Sequence, residues 1–138
     1  MKALKLRSTA LILLAASAAI LMAADNSWLH KVPAADRARE NPYAGRAEAV
    51  SAGRNLFGEN CAQCHGADAE GRHGRPSLRS ERVAHASDGE LAWLLRNGSL
   101  RKGMPSWNIL PEPERWQIIA YLRSLPRDTS ADAATPHP

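Results

Sequence analysis

Apolar residues in this chain recur at helical spacing in three places and alternate at strand spacing nowhere over a useful length. In the first, Val50, Gly53, Phe57 and Cys61 share one stripe of a helix expected from about Ala47 to Asn60. The second is expected to begin at "SDGE", where Ser87 and Glu90 make an S-x-x-E capping box. Leu91, Leu94 and Leu95 then supply an apolar face, and Asn97-Gly98 provides a stop. The third follows Pro113, a residue tolerated in a first helical turn. In it Ile118, Tyr121, Leu122 and Leu125 recur at i, i+3, i+4 and i+7, and Pro126 closes the run. Loops bearing glycine and proline join these segments, so the pattern predicts an all-α domain over residues 46–126.

The flanks read differently. Lys2, Lys5 and Arg7 precede a weakly polar to apolar run from Ser8 to Ala24, the layout of a secretory signal peptide over residues 1–24. Cleavage is expected near Ala23 or Ala24. The competing reading is an uncleaved anchor, but the run is short against the about 20 apolar residues that cross a bilayer. No membrane span is therefore expected after cleavage. Residues 25–45 carry Pro33, Pro42 and mixed charge with little periodicity, and are expected to form an extended arm whose Trp28 and Tyr43 could dock on the domain or a partner. The stretch "RDTSADAATPHP", residues 127–138, is polar and expected to be disordered.

Export changes the charge reading. The 138-residue chain has a formal net charge of +4 and a pI of about 9.5. Three of its 18 basic residues leave with the signal, so 15 stand against 14 acids, and nucleic acid loses its main support as a partner. What remains is local: Arg72, Arg75, Arg79 and Arg82, then Arg96, Arg101 and Lys102. Such clusters are usually solvated faces. Three short helices also bury little apolar surface, and domains of that size commonly need a disulfide, a metal or a cofactor to stay folded.

Both cysteines lie in "NCAQCHG", residues 60–66. A structural zinc site wants four Cys or His ligands, and His73 and His85 lack matching spacing. A thioredoxin-like pair belongs beside a βαβ pattern, for which no strand is available. A disulfide suits an exported protein but would close a tiny loop and leave His65 unexplained. The remaining pattern, C-x-x-C-H, is the haem c attachment signature. Thiols three positions apart on a helical turn project from one face, each able to form a thioether. Cys61 and Cys64 are thus the expected covalent anchors, and His65 the iron's proximal ligand.

From about Ala47 to Leu125 the chain resembles the class I c-type cytochromes, in which the first helix runs straight into the attachment motif as "AEAVSAGRNLFGENCAQCHG" does here. The resemblance implies a cytochrome c fold, three main helices wrapped around one covalently bound haem c. It places Gly53, Phe57 and Tyr121 at the crossing of the first and last helices. Met104, the sole methionine after signal removal, stands in "RKGMPSWNIL" and resembles the distal iron ligand; the competing reading is a loop methionine that fills a gap. Ring N–H groups of metal-bound histidines commonly donate to a carbonyl, and the resemblance assigns that acceptor to Pro76. It also puts Leu78 at the haem edge and Trp107 near the propionates. Trp93 packs on the macrocycle or within the helix core. Arg72 and Arg75 screen the propionates or face water. His73 and His85 are the rival ligands and read more simply as surface residues, as do His30 and His137 in the flanks.

His/Met ligation fills both axial positions and raises the potential relative to two nitrogen ligands. The expectation is a periplasmic, monomeric one-electron carrier with no reaction of its own. The layout "NPYAGRAEAVSAGRNLFGENCAQCHG", "GMPSW", "ERWQIIAYLRSL" further resembles small periplasmic cytochromes that serve quinoprotein (PQQ) alcohol dehydrogenases, which implies such a donor and an oxidase as acceptor. The basic residues at 72–82 and 96–102 would dock on an acidic patch. Two other classes stay open: a haem-based ligand-binding sensor in which Met104 dissociates, and a permanent electron-transfer subunit of a larger complex.

Overall fold

The computed structural model describes residues 28–128. The expected signal peptide, its cleavage point, His137 and the tail beyond Asp128 lie outside the described residues. The chain divides after Lys31. In the first described stretch, Leu29–Lys31 form a 3₁₀ turn, with the Lys31 N–H donating to the Trp28 carbonyl at 3.0 Å. Everything below concerns the unit that begins at Val32.

That unit is helical and has no strand among the described residues; its pairing is limited to isolated bridges, Arg72 with Arg75 and Ser99 with Met104. In chain order it contains α1 (Ala34–Arg37), α2 (Ala47–Asn60), α3 (Ala62–His65), α4 (Glu81–His85), α5 (Asp88–Asn97) and α6 (Glu112–Ser124). The three expected helices are α2, α5 and α6, and the architecture is all-α. No described helix is long and apolar enough to cross a membrane.

Local chemistry sets the ends of these helices. Ser87 Oγ accepts from the Glu90 N–H at 3.1 Å while the Glu90 carboxylate accepts from the Ser87 N–H at 2.7 Å, a complete capping box on α5. Pro111 caps α6 and Pro113 sits in its first turn, where its missing N–H costs no hydrogen bond. Leu125 is extended, as the residue before a proline tends to be.

The core forms where α2 crosses α6. A Cβ added to Gly53 would lie 1.9 Å from the Gln117 carbonyl oxygen and 3.0 Å from the Tyr121 Cβ, so only glycine permits this approach. Phe57 and Tyr121 pack beside it with ring centroids 5.4 Å apart and planes tilted by 53°, within the favoured range for aromatic pairs. Phe57, Ile118 and Ile119 are the largest fully buried side chains. Ala49 rather than Val50 is the buried residue of the first turn, which shifts the expected stripe by one position.

One expectation fails outright. Residues 32–45 are not an extended arm but a strap across α5 and α6. Val32 and Asn41 are buried, and Asn41 Nδ2 donates to the Trp116 carbonyl at 2.9 Å. Gly89 admits the strap, because a Cβ there would sit 2.0 Å from the Asp36 carbonyl oxygen. Asp36 pairs with Arg96 at 3.2 Å, Arg37 with Glu90 at 3.0 Å, and Arg39 lies 5.1 Å over the Trp116 ring while bridging to Glu112. Tyr43 is half-buried beneath Arg46. The strap has little hydrophobic period because polar and backbone groups hold it.

The beginning of the expected tail is also placed. Asp128 donates its N–H to the Arg79 carbonyl at 3.1 Å, accepts from Ser77 Oγ at 2.5 Å, and pairs with Arg79 Nε at 3.0 Å.

Candidate functional site

The attachment motif begins where α2 ends. Cys61 breaks the helix with φ −119° and ψ −33°, then caps α3, and its carbonyl accepts from the N–H groups of Cys64 and His65 at 3.1 and 3.0 Å. This single turn carries both thiols and the imidazole. The cysteines are free; Cys64 is exposed and Cys61 half-buried. Burial, with a smaller contribution from Cys64, pushes the Cys61 thiol up to about 11, so it stays protonated at neutral pH in the bare polypeptide.

His65 is half-buried, and its Nδ1 lies 3.1 Å from the Pro76 carbonyl oxygen. A carbonyl can only accept, so Nδ1 carries the proton and Nε2 keeps its lone pair. Burial holds the imidazole below its ordinary range, against the raising effect of that hydrogen bond and with help from the positive Arg75. A neutral imidazole with a free Nε2 is the metal-ligating form.

The loop that delivers Pro76 is built on backbone geometry. Gly66, Ala69, Gly71, His73 and Gly74 all have positive φ. Gly71 is obligatory, since a Cβ there would stand 2.7 Å from the Arg75 carbonyl oxygen. The Gly71 N–H reaches the His65 carbonyl at 2.8 Å, and the Leu78 N–H reaches that of Ala69 at 2.8 Å. His73, one rival ligand, is an exposed turn residue; His85, the other, is exposed on α4 and faces Glu81.

Met104 is half-buried in the loop between α5 and α6. Ser99 and Met104 exchange backbone hydrogen bonds of 2.9 and 3.2 Å around a 3₁₀ turn at Leu100–Lys102, which Gly103 closes in the left-handed region. Beyond the methionine, Ser106 Oγ donates to the Arg96 carbonyl at 2.5 Å and the Trp107 N–H to the Leu95 carbonyl at 2.8 Å. The loop is thus closed on itself at Met104 and pinned to α5 just beyond it. Leu78, Trp93 and Trp107 are half-buried.

The cationic cluster looks different from its sequence. Arg79 and Arg96 are neutralised by Asp128 and Asp36, while Arg72, Arg75 and Arg101 are exposed. Arg75 donates through Nη1 to the Lys102 carbonyl at 2.7 Å. Neither that tie nor the Asp128 contacts leave a periodic or motif-like signal. The strap leaves a weak one, in Pro33 ahead of an Asp-bearing helical turn.

These donors suit an iron porphyrin and not a zinc cluster. Among the described residues no group of three or more His, Cys, Asp or Glu side chains could hold a metal ion. There is instead one turn with two free thiols, one neutral imidazole fixed by a carbonyl, and one thioether on a separate rigid loop. That set is chemically compatible with covalent haem c.

Comparison with known proteins agrees. The family model described as cytochrome c oxidase, cbb3-type, subunit III matches residues 48–122. The chain is 37% identical over 95 residues to the cbb3-type cytochrome c oxidase subunit FixP of Sinorhizobium medicae, covering 56% of this chain and 30% of the relative. It is 32% identical over 88 residues to cytochrome c550 of Pseudomonas aeruginosa, covering 61% of each. The chain thus spans between 30% and 61% of the length of these curated relatives. Among solved structures, cytochrome cL of the marine methylotroph Methylophaga aminisulfidivorans superposes with a TM-score of 0.57 at 34% identity, over 63% of this chain and 59% of that one. The helix crossing, the C-x-x-C-H turn and these likenesses converge: the chain belongs to the cbb3-type subunit III family of c-type cytochromes, with the cytochrome c fold and covalently bound haem c.

Proposed function

We propose that this chain is an exported one-electron carrier of the periplasm, in which Cys61 and Cys64 anchor haem c and His65 and Met104 are the axial ligands. The observation that carries the reading is the His65–Pro76 contact of 3.1 Å, which presents a neutral Nε2. When bound, haem c supplies a ferric/ferrous couple whose potential the thioether ligand raises. The protein's part is to hold both ligands in place through either oxidation state. The Pro76 carbonyl fixes the imidazole's tautomer, and the bonds from Ser99, Ser106 and Trp107 fix the Met104 loop. Leu78 and Trp107 flank the group on this reading.

The likeness to a cytochrome cL, together with the resemblance in layout, supports a quinoprotein alcohol dehydrogenase as donor and an oxidase as acceptor. Among the described residues, Leu100 and Ile109 are large apolar side chains left exposed, at 79% and 84%, on either side of Met104 in sequence with Arg101. Exposed apolar and cationic side chains on this stretch suit brief docking, in which charge steers the encounter and a small interface lets go. Stopped-flow reduction of the haem-bearing protein by a purified quinoprotein dehydrogenase tests this, with a rate that falls as salt is raised. A salt-independent rate removes the electrostatic part, and no reduction removes the donor.

The relation to FixP favours a second reading, a subunit resident in an oxidase. Solubilised membranes separate the two: a carrier elutes alone on gel filtration, and a resident subunit elutes with the oxidase.

A further inference from the structure

Arg75 stands next to Pro76, and its side chain reaches across to the loop that carries Met104. Nη1 donates to the Lys102 carbonyl at 2.7 Å, twenty-seven residues along the chain and two before Met104. The intervening Gly103 lies directly under the guanidinium: a Cβ there would be 2.6 Å from Nη1, 3.1 Å from Nη2 and 3.3 Å from Cζ. The arginine's own backbone is fixed. Its N–H donates to the Arg72 carbonyl at 2.8 Å, and its carbonyl is packed against Gly71. At the far end, Lys102 belongs to the turn that the Ser99–Met104 pair closes.

We infer that Arg75 is a positioning residue for Met104, tying the loop that orients His65 to the turn that presents the thioether. The inference rests on Met104 being the distal ligand. The bonds to α5 hold the Met104 loop at Ser106 and Trp107, and the Ser99–Met104 pair closes its turn. Its outer turn has Arg75 as its tie to the opposite loop. Without that tie the turn can lift away from the His65 side, and Met104 spends more time off the iron. An external ligand binds the iron only in that open state, so its apparent affinity is scaled by the open fraction. A single charge-assisted hydrogen bond, discounted for exposure, changes that fraction by about fivefold.

The test is imidazole titration of the ferric, haem-bearing protein, followed by loss of the weak long-wavelength band of thioether ligation. Arg75→Ala is expected to bind imidazole about fivefold more tightly than wild type. Arg72→Ala removes the same charge three residues away and should leave affinity at the wild-type value. Unchanged affinity in Arg75→Ala overturns the tie, as does an equal gain in Arg72→Ala, which assigns the effect to charge. A wild-type protein without the thioether band overturns the axial assignment of Met104 itself, and a wild-type band with no response in Arg75→Ala overturns only the tie. Arg75 is exposed and distant from the Phe57–Tyr121 core, so the variants are expected to fold; the unchanged Soret band of each reports that independently.

Discussion

Two regions of this molecule solve the same problem, bringing distant segments together, by opposite means. At the α2–α6 crossing, Gly53, Phe57 and Tyr121 are held by apolar burial and a contact that excludes any Cβ. In the two loops that carry Pro76 and Met104, backbone hydrogen bonds, left-handed residues and polar side chains hold the chain. The crossing is made entirely of contacts between the chain's own residues. The loops' side chains Leu78, Met104 and Trp107 are half-buried, and on the proposed reading they flank the haem. Rigidity in this protein therefore comes from packing in one place and from directed polar contacts in the other, and the two should fail differently.

The sharpest test removes the group that the loops frame. With Cys61→Ala and Cys64→Ala combined, the chain cannot hold haem covalently, and circular dichroism should show a largely unfolded polypeptide. A cooperative melt would mean that the crossing alone sustains the fold. Phe57→Ala strikes the crossing itself and should cost about 3–5 kcal/mol, read as a shift in the denaturant midpoint of the haem-bearing protein. Gly53→Ala forces backbone apart against the Gln117 carbonyl and should cost about 3 kcal/mol, with α2 and α6 displaced but the haem spectrum retained. Cutting the strap at Asn41→Ala removes the buried hydrogen bond to the Trp116 carbonyl and should cost about 0.5–1.5 kcal/mol.

The smallest effect is on acid stability. The hydrogen bond from Arg39, then that from Trp116, hold the Glu112 carboxyl below the usual range. A depressed carboxyl stabilises the fold above its unfolded value, near about 4.3, and that contribution is lost as pH falls through the native value. Because Glu112 is exposed, solvent screens most of the pairing. Glu112→Gln should therefore remove only a shallow slope from the acid side of a thermal-melt profile. A steep change would mark the strap as a main support instead of an accessory.

Legibility followed the same division. The α2 limits, the α5 capping box and the proline-opened α6 could be read because each depends on residues within one or two turns of each other. So could the C-x-x-C-H turn, since three donors on five consecutive positions are a local arrangement. The strap escaped, because Asp36, Arg39 and Asn41 find Arg96, Trp116 and Glu112 from far along the chain, with no period to announce it. Val50 was read as core where Ala49 is buried, because positions three and four before Gly53 both fit a helical stripe.

The amino-acid sequence by itself determined the three main helices and the thiol-and-imidazole turn, since each is a matter of short-range geometry and residue chemistry, while Gly53 at the crossing was named through the family resemblance. Only the tertiary structure decided that Asp36 and Asp128 neutralise two of the arginines, and that Arg75 reaches across to Lys102. Those are directional contacts between single atoms on separate segments. They exist only once the apolar core has fixed where every segment runs.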